Sequence, residues 1–514
     1  MYLTQSLHHA LLKAPDRPMT VCGDRVRTSR EVADRVARLA GGLRGLGVGE
    51  GDRVAILAMN SDRYHETFFA AWWIGAMVNP VNVRWSPAEI VYSLEDSGSE
   101  VLLIDERFLP LLPVLREQCP GLRTLVYCGE GELPEGMDSY EDLATVSEPV
   151  EDLRVGGDTP AALVYTGGTT GLPKGVAVTH KALIVSALGT QIQGRNLRPG
   201  GTLLVSAPMF HIAAIANWVA YMLMGGTSVF LPAFSAEGVL RAVAEHRVTN
   251  LTLVPTMIQM LVDHPDFACY DTSCVRALSY GASAIPVAVL DRAMKAFPGA
   301  RFSQGYGQTE TTVISVLTME DHLAGGDRLR SAGQPLAHVD VKIVDPSGKE
   351  LPRGQAGEIL VRGEGLMAGY WNKPEETEQA LREGWMHTGD AGYLDEDGYV
   401  FVVDRVKDMI VSGGENVYSV EVENALARHP AVASAAVIGL PDPQWGERVH
   451  AIVVLHSGAD VGEEELRTHT RSLIAGYKVP RSWDFTEAMP MSAAGKILKR
   501  ELRDRYRSEA GTRG

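Results

Sequence analysis

Cysteine is scarce in this chain: 514 residues hold five, Cys22, Cys119, Cys128, Cys269 and Cys274, and no C-x-x-C pair. Cys269 and Cys274 lie close together, but no His or Cys cluster accompanies them, so a zinc site is not expected. An odd number of scattered cysteines reads as reduced, packed thiols in a cytoplasmic enzyme. Long apolar runs are missing too. Residues 199–236 carry no Asp, Glu, Lys or Arg, yet the apolar core "IAAIANWVAYMLM" is short, broken by Asn217 and bounded by His211 and Gly225. That length suits a buried helix, and no integral membrane segment is expected. The opening "MYLTQSLHHALLKAPDRP" lacks the apolar core of a signal peptide. Positive charge is the minority: 48 Lys and Arg against 64 Asp and Glu leave a net charge of −16, which argues against a general nucleic-acid binder. There is no internal repeat and no low-complexity tract.

What is present is an ordinary globular balance of 45% hydrophobic and 22% charged residues, in a chain long enough for roughly two to four domains. Helix-like and strand-like segments alternate through the first three-quarters. In "SREVADRVARLAGGLRGLGVGEGDRVAILAMN" an amphipathic helix meets a glycine stop and then a buried strand. Its "GLGVGEG" follows a helix and precedes a strand, the reverse of a dinucleotide fingerprint, so it reads as a helix cap. From about Asp340 the texture turns to short strands and turns, with "DPSG" and "DEDG" as turn signals. A compact α+β segment follows Arg405 and ends in the basic helix "GKILKRELRDRYR". The expected fold is α/β. A large N-terminal domain of layered α/β subdomains and a β-rich subdomain spans 1–405, and a small mobile α+β C-terminal domain spans 406–514.

One loop draws attention. "YTGGTTGLPKGVAVTH" sets Thr166, Gly167, Gly168, Thr169, Thr170, Gly171 and Lys174 between two strand-like runs. Glycines let backbone N–H groups approach a ligand, hydroxyls add donors and the lysine adds a positive charge, so the loop suits a polyphosphate. The spacing does not fit the G-x-x-x-x-G-K-[ST] pattern. The competing interpretation is a Thr/Gly-rich surface loop.

Five further motifs follow in order: "PMFH" (208–211), "YGQTE" (306–310), "HTGD" (387–390), "DRVKDMIVSGGEN" (404–416) and "PMSAAGK" (490–496). With this set the chain resembles, essentially end to end, the acyl-adenylate-forming superfamily of acyl-CoA synthetases, adenylation domains and beetle luciferases. Each motif is weak alone and the ordered set is specific. The resemblance implies a two-step reaction. A carboxylate attacks the α-phosphate of ATP and expels pyrophosphate, and a thiol, usually that of coenzyme A, then displaces AMP. Mg²⁺ is the implied metal.

The same resemblance assigns roles. The Thr/Gly loop and Lys174 would hold the β- and γ-phosphates, with Gly168 standing where relatives often have Ser. Tyr306 would lie against adenine, with Gly305, Gly307 and Gln308 around it. Thr309 would sit near the α-phosphate and Glu310 would bind Mg²⁺, a hard cation suited to carboxylate oxygen. Gly281, Ala282 and Ser283 match a small-residue segment beside the nucleotide. Asp390 and Arg405 would contact the ribose. Lys496 would reach the substrate carboxylate and α-phosphate during adenylation, where an ammonium offsets charge developing in the transition state. Ala493 and Ala494 depart from the commoner Thr/Ser-rich loop. Lys407 matches the pivot of a domain rotation, after which Gly413 and Gly414 would let the pantetheine arm pass.

The acid is less legible. His211, Ile212, Ile215, Asn217, Tyr280 and Val313 are the expected pocket residues, and His211 either gates the pocket or serves as a satisfied core histidine. With no Arg or Lys among them, a second carboxylate is disfavoured. A fatty acid comes first, a cinnamate- or benzoate-like acid next. Loading of a carrier protein's phosphopantetheine is the enzymatic alternative to CoA, and a nucleotide or acyl-adenylate sensor is the non-enzymatic one. Contact of the basic terminal helix with an anionic membrane is weighed against a solvated charged face, the safer default. A homodimer is left open.

Overall fold

Short apolar runs without polar alternation become strands covered on both faces: Met77–Pro80 and Val101–Ile104 are buried at every position. The computed structural model describes residues 1–166, 172–195, 199–283, 285–405, 408–412, 415–491 and 497–511. The chain divides into two units. The first comprises Met1–Val341, Val361–His387 and Gly398–Val400, the second Lys342–Leu360, Thr388–Asp397 and Phe401–Gly514.

Two large sheets build the first unit. One has nine strands, running from Gln334–Pro335 at one edge to Arg25–Thr28 at the other. Six consecutive strands, from Arg301–Gln308 through Ala277–Gly281, Asn250–Leu253, Thr202–Val205 and Thr227–Phe230 to Pro18–Cys22, are parallel, while Thr312–Leu317 is antiparallel to its neighbours. The other has eight strands, parallel from Pro160–Thr166 through Arg53–Leu57 to Asp138–Ser139. The antiparallel pair Lys174–Thr179 and Gly369–Tyr370 is added at one edge. Ligands in open α/β sheets bind beyond the carboxyl ends of the strands. Thr166, Val205, Gly281 and Gln308 all stand at such ends.

Helix Asp62–Trp73 is buried along its whole length. Phe68, Phe69 and Trp72 pack on Trp218 with ring centroids 5.5–5.8 Å apart. Trp218 belongs to helix Ile212–Leu223, which the apolar run announced. Burying each phenylalanine contributes about 1.5–3 kcal/mol. The same helix buries charge. Asp62 is paired with Arg25 and Arg27, and Glu66 with Arg35 at 2.8 Å. Tyr140 also donates to Glu66 at 2.8 Å, and Arg63 reaches Glu141 at 3.0 Å. His65 sits in the aromatic nest, accepting from Trp218 Nε1 at 3.2 Å, and burial pushes its pKa down to about 3.

The glycine-rich "GLGVGEG" is a helix ending. Helix Ser29–Gly45 closes on Leu46, Gly47 takes φ 92°, and strand Arg53–Leu57 follows. The β-rich texture after Asp340 becomes a five-stranded sheet of Val339–Val344, Gly357–Gly363, Leu381–Arg382, Trp385–Leu394 and Val400–Arg405. Within the second unit a further five-stranded sheet is built on the hairpin Val432–Asp442 and Gly446–Leu455, with helices Ser419–Leu426, Glu463–Leu473 and Lys499–Gly511. Among the described residues no helix is long and apolar enough to cross a membrane.

Candidate functional site

In the first unit, strands Pro160–Thr166 and Lys174–Thr179 pair antiparallel with Thr166 opposite Lys174. Gly167, Gly168, Thr169, Thr170 and Gly171 lie outside the described residues. Lys174 Nζ stands 4.9 Å from the centre of the Tyr370 ring. The Tyr370 hydroxyl donates to Glu310 Oε1 at 2.9 Å. Tyr370 is on strand Gly369–Tyr370, paired through Val176 with the strand that begins at Lys174. Its N–H is fixed by Thr377 Oγ1 at 2.8 Å. Motif matching passed over Tyr370. Its only trace in the sequence is an aromatic pair, "GYW", just ahead of the helix Pro374–Ala380.

Strand Arg301–Gln308 runs parallel to Ala277–Gly281 with Gly305 opposite Gly281, which sets the 281–283 segment beside the Tyr306 segment. The packing demands glycine. A Cβ on Gly281 would meet Gly305 O at 2.4 Å, and one on Gly307 would meet Thr312 O at 1.8 Å. Ala282 and Thr312 hold left-handed backbone, at φ 67° and 55°. Such conformations cost energy and persist where the surrounding structure enforces them. Thr309 and Glu310 occupy the turn between this strand and Thr312–Leu317. Gln308 N–H donates to Thr311 Oγ1 at 3.2 Å, and Glu310 O accepts from Met367 N–H at 2.8 Å.

His211 stands at the N-terminal boundary of helix Ile212–Leu223 without a side-chain capping bond, its ring 4.4 Å from that of Phe210. The 208–211 segment is held by Asn60, another residue that motif matching missed. The buried Asn60 donates to Ala207 O and accepts from Met209 N–H, both at 2.9 Å. The expected pocket residues diverge. Ile215 is wholly buried in the main core, whereas Asn217, two residues on, faces a small pocket shared with Leu203, Val205 and Thr252. At 100° per residue the two cannot share a helix face. Tyr280 is buried in a separate core cluster, its hydroxyl 2.8 Å from His322 Nε2. His322 Nδ1 lies 2.5 Å from Thr318 O and must donate to that carbonyl, so Nε2 accepts from Tyr280. Val313 N–H donates to Ser186 Oγ at 3.3 Å.

In the second unit, Asp390 on strand Trp385–Leu394 is only 5% exposed and pairs with Arg405 Nε at 2.7 Å. Arg405 also donates to Thr388 O at 3.4 Å. The neighbouring Asp404 is buried and accepts from Arg405 N–H and from both N–H and Oγ of Ser419. Lys499 bonds Ser419 Oγ at 2.6 Å and Glu423 at 2.8 Å, and Arg503 pairs with Asp408 at 2.7 Å. Two cations of the terminal helix therefore point inward, Lys499 onto Ser419 and Glu423, and Arg503 onto Asp408. Burial raises the Glu423 pKa, and Lys499 opposes that shift. Lys407, Gly413, Gly414 and Lys496 lie outside the described residues. What frames them is visible. Ser412 pairs with Glu415, Met491 bridges to Ile497, and Leu498 N–H donates to Pro490 O at 2.8 Å.

The donor chemistry of the first unit fits a metal–polyphosphate. Among the described residues no group of three or more His, Cys, Asp or Glu could cage a metal. A lone half-buried carboxylate near a lysine suits Mg²⁺, which keeps its waters and is shared with phosphate oxygens.

The sequence profile of the AMP-binding enzyme family matches residues 7–371, and that of the AMP-binding enzyme C-terminal domain matches residues 421–496. A feruloyl-CoA synthase from an Amycolatopsis species is 41% identical over 485 residues, covering 94% of this chain and 95% of that protein. The fatty acid–[acyl-carrier-protein] ligase ScoC of Streptomyces coeruleorubidus is 37% identical over 497 residues, covering 96% and 94%. Among solved structures, the o-succinylbenzoate CoA synthetase MenE of Bacillus subtilis, in complex with its acyl-adenylate intermediate, superposes with a TM-score of 0.85 at 31% identity. That match covers 97% of this chain and 98% of that one.

Proposed function

The chain belongs to the AMP-binding enzyme family, and on that premise we propose that it is an AMP-forming acid–thiol ligase that activates an apolar carboxylic acid with ATP and transfers the acyl group to coenzyme A. The observation that carries this reading is the meeting of Lys174 and Glu310 on one tyrosine, with Lys174 opposite Thr166 at the strand ends that flank residues 167–171. A carboxylate for a hard cation and an ammonium for phosphate, side by side, are what a metal–ATP substrate requires.

In this scheme Thr166, Lys174 and the 167–171 backbone hold the β- and γ-phosphates. Tyr306 lies against adenine in the pocket that Gly281, Ala282, Ser283, Gly305 and Gly307 keep free of bulk. Asp390 accepts hydrogen bonds from the ribose hydroxyls, oriented by Arg405. Glu310 would hold Mg²⁺, which would supply positive charge to offset that of the phosphates. Thr309 and Lys496 stabilise the α-phosphate as the carboxylate oxygen bonds to phosphorus and the bond to pyrophosphate breaks. The body formed by 406–514 then turns about Lys407, Lys496 withdraws, and Gly413 and Gly414 line the path of the thiol. Its sulfur bonds to the acyl carbon and AMP leaves. The work is done in the cytoplasm, on small molecules.

A fatty acid fits the uncharged pocket residues. A hydroxycinnamate is the second reading, favoured by the 41% identical feruloyl-CoA synthase. The ScoC match supports a carrier-protein acceptor as the alternative to CoA. The test is incubation of the purified chain with ATP, Mg²⁺ and a panel of fatty and aryl acids, with and without CoA, read by mass spectrometry. Acyl-CoA from a narrow set of acids supports the ligase and names its substrate. Acyl-AMP that never reaches CoA points to a carrier protein. ATP binding with no adenylate from any acid defeats the ligase reading in favour of a sensor.

A further inference from the structure

We infer that Tyr370 is a positioning residue for the metal–nucleotide site, holding the Glu310 carboxylate and the Lys174 ammonium ready for their ligands without cancelling either charge. The inference rests on the roles proposed above for Glu310 and Lys174. Its own basis is the geometry of one ring. The phenol donates to Glu310 Oε1 at 2.9 Å, and the Lys174 ammonium lies 4.9 Å from the ring centroid.

Glu310 sits in a turn and is half-buried, with three side-chain torsions to restrain. A hydrogen bond to one carboxylate oxygen restrains them and leaves the second oxygen for a cation. A lysine as restraint would neutralise the carboxylate, whereas a phenol does not. The same logic holds for Lys174. A ring face attracts an ammonium through its quadrupole while leaving its N–H donors for phosphate. Tyr370 is itself well anchored, paired through its backbone with Val176 and bonded from its N–H to Thr377. One side chain thus fixes the anion meant for the metal and the cation meant for the phosphates, as groups that orient metal ligands do elsewhere.

The test uses the full chain and isothermal titration of ATP binding across Mg²⁺ concentrations, independent of turnover. Thermal melting first checks that each variant is folded. Tyr370→Phe keeps the ring and loses the hydroxyl. Its midpoint for Mg²⁺ should rise about tenfold, with Mg²⁺-free ATP affinity unchanged. Tyr370→Leu, a second variant, should also weaken Mg²⁺-free ATP binding, by about two- to fivefold. Glu310→Gln should raise the Mg²⁺ midpoint further still, and adding Tyr370→Phe to it should change nothing more. The inference is overturned if Tyr370→Phe titrates like the parent while Glu310→Gln does not, or if the two changes add independently. If Glu310→Gln itself leaves the midpoint in place, the metal-ligand role of Glu310 falls, and the inference with it.

Discussion

Single side chains carry the sharpest expectations. Replacing Lys496 with Ala should slow acid-dependent pyrophosphate release by about 10²-fold or more, since one preorganised charge at a developing oxyanion is worth that much. Supplied acyl-AMP should still pass to CoA, because the proposed scheme gives this lysine no part in the thiol step. Equal loss of both steps, measured by single-turnover quench, would show that the variant is merely misfolded. His65 gives a pH prediction. Its folded pKa is about 3, below the ordinary 6.5, because burial disfavours the charged ring. The unfolded chain therefore binds the extra proton between those values, and stability falls as pH drops from about 6.5 towards 3, by about 1.4 kcal/mol per pH unit. His180, pushed down to about 4 by burial, acts in the same direction. Denaturant titrations at pH 7.5 and 5.5 should show this loss, and His65→Gln, which keeps an acceptor for Trp218, should reduce it, leaving the part that His180 contributes. At this scale the sequence was legible wherever a residue type repeats in an ordered motif. It set Asp390 and Arg405 side by side as expected ribose contacts; the structure pairs the two at 2.7 Å, and their ribose role is a proposal. Tyr370 and Asn60 were not legible, because each matters through a contact across 60 or 149 residues of chain that no local pattern encodes.

Among the elements, helix Asp62–Trp73 is the one whose character sequence alone conceals. Apolar period and capping announce a helix, and Ser61 does cap it by accepting from Tyr64 N–H. Nothing in "DRYHETFFAAWW" says that its charged residues face inward, since a charged face is solvated in most helices. They can do so because Arg25, Arg27 and Arg35 come from neighbouring elements to meet them. Removing Glu66 takes the buried acceptor from Arg35 Nε and from the Tyr140 hydroxyl, leaving Arg35 only its half-exposed partner Glu141. Glu66→Ala should accordingly cost about 3–5 kcal/mol, read from the denaturant midpoint at pH 7. Helix Lys499–Gly511 teaches the complementary lesson: its basic sequence suggested a solvated stripe, yet Lys499 and Arg503 are spent on Glu423 and Asp408.

For the whole molecule, alternation of buried strands and amphipathic helices, followed by turn-rich strands, was sufficient to read an α/β protein with a small α+β end. The order of strands was not readable, because parallel neighbours such as Pro18–Cys22 and Thr227–Phe230 lie two hundred residues apart. If residues 406–514 turn about Lys407, then Lys407→Pro, which fixes one backbone torsion, should leave adenylation within a few-fold and slow thioester formation by at least about tenfold. Parallel loss of both rates in rapid-quench experiments would count against a hinge there. Asn60 closes the account at this scale, since it ties a turn of the eight-stranded sheet to the segment leaving the nine-stranded one, gripping the chain on both sides of Pro208. Anyone exchanging the 208–217 stretch with that of a relative to redirect acid preference must therefore transplant the matching 58–61 turn as well. The inheritable cassette is two distant pieces of chain, and a library that varies only one of them samples loops without their anchor.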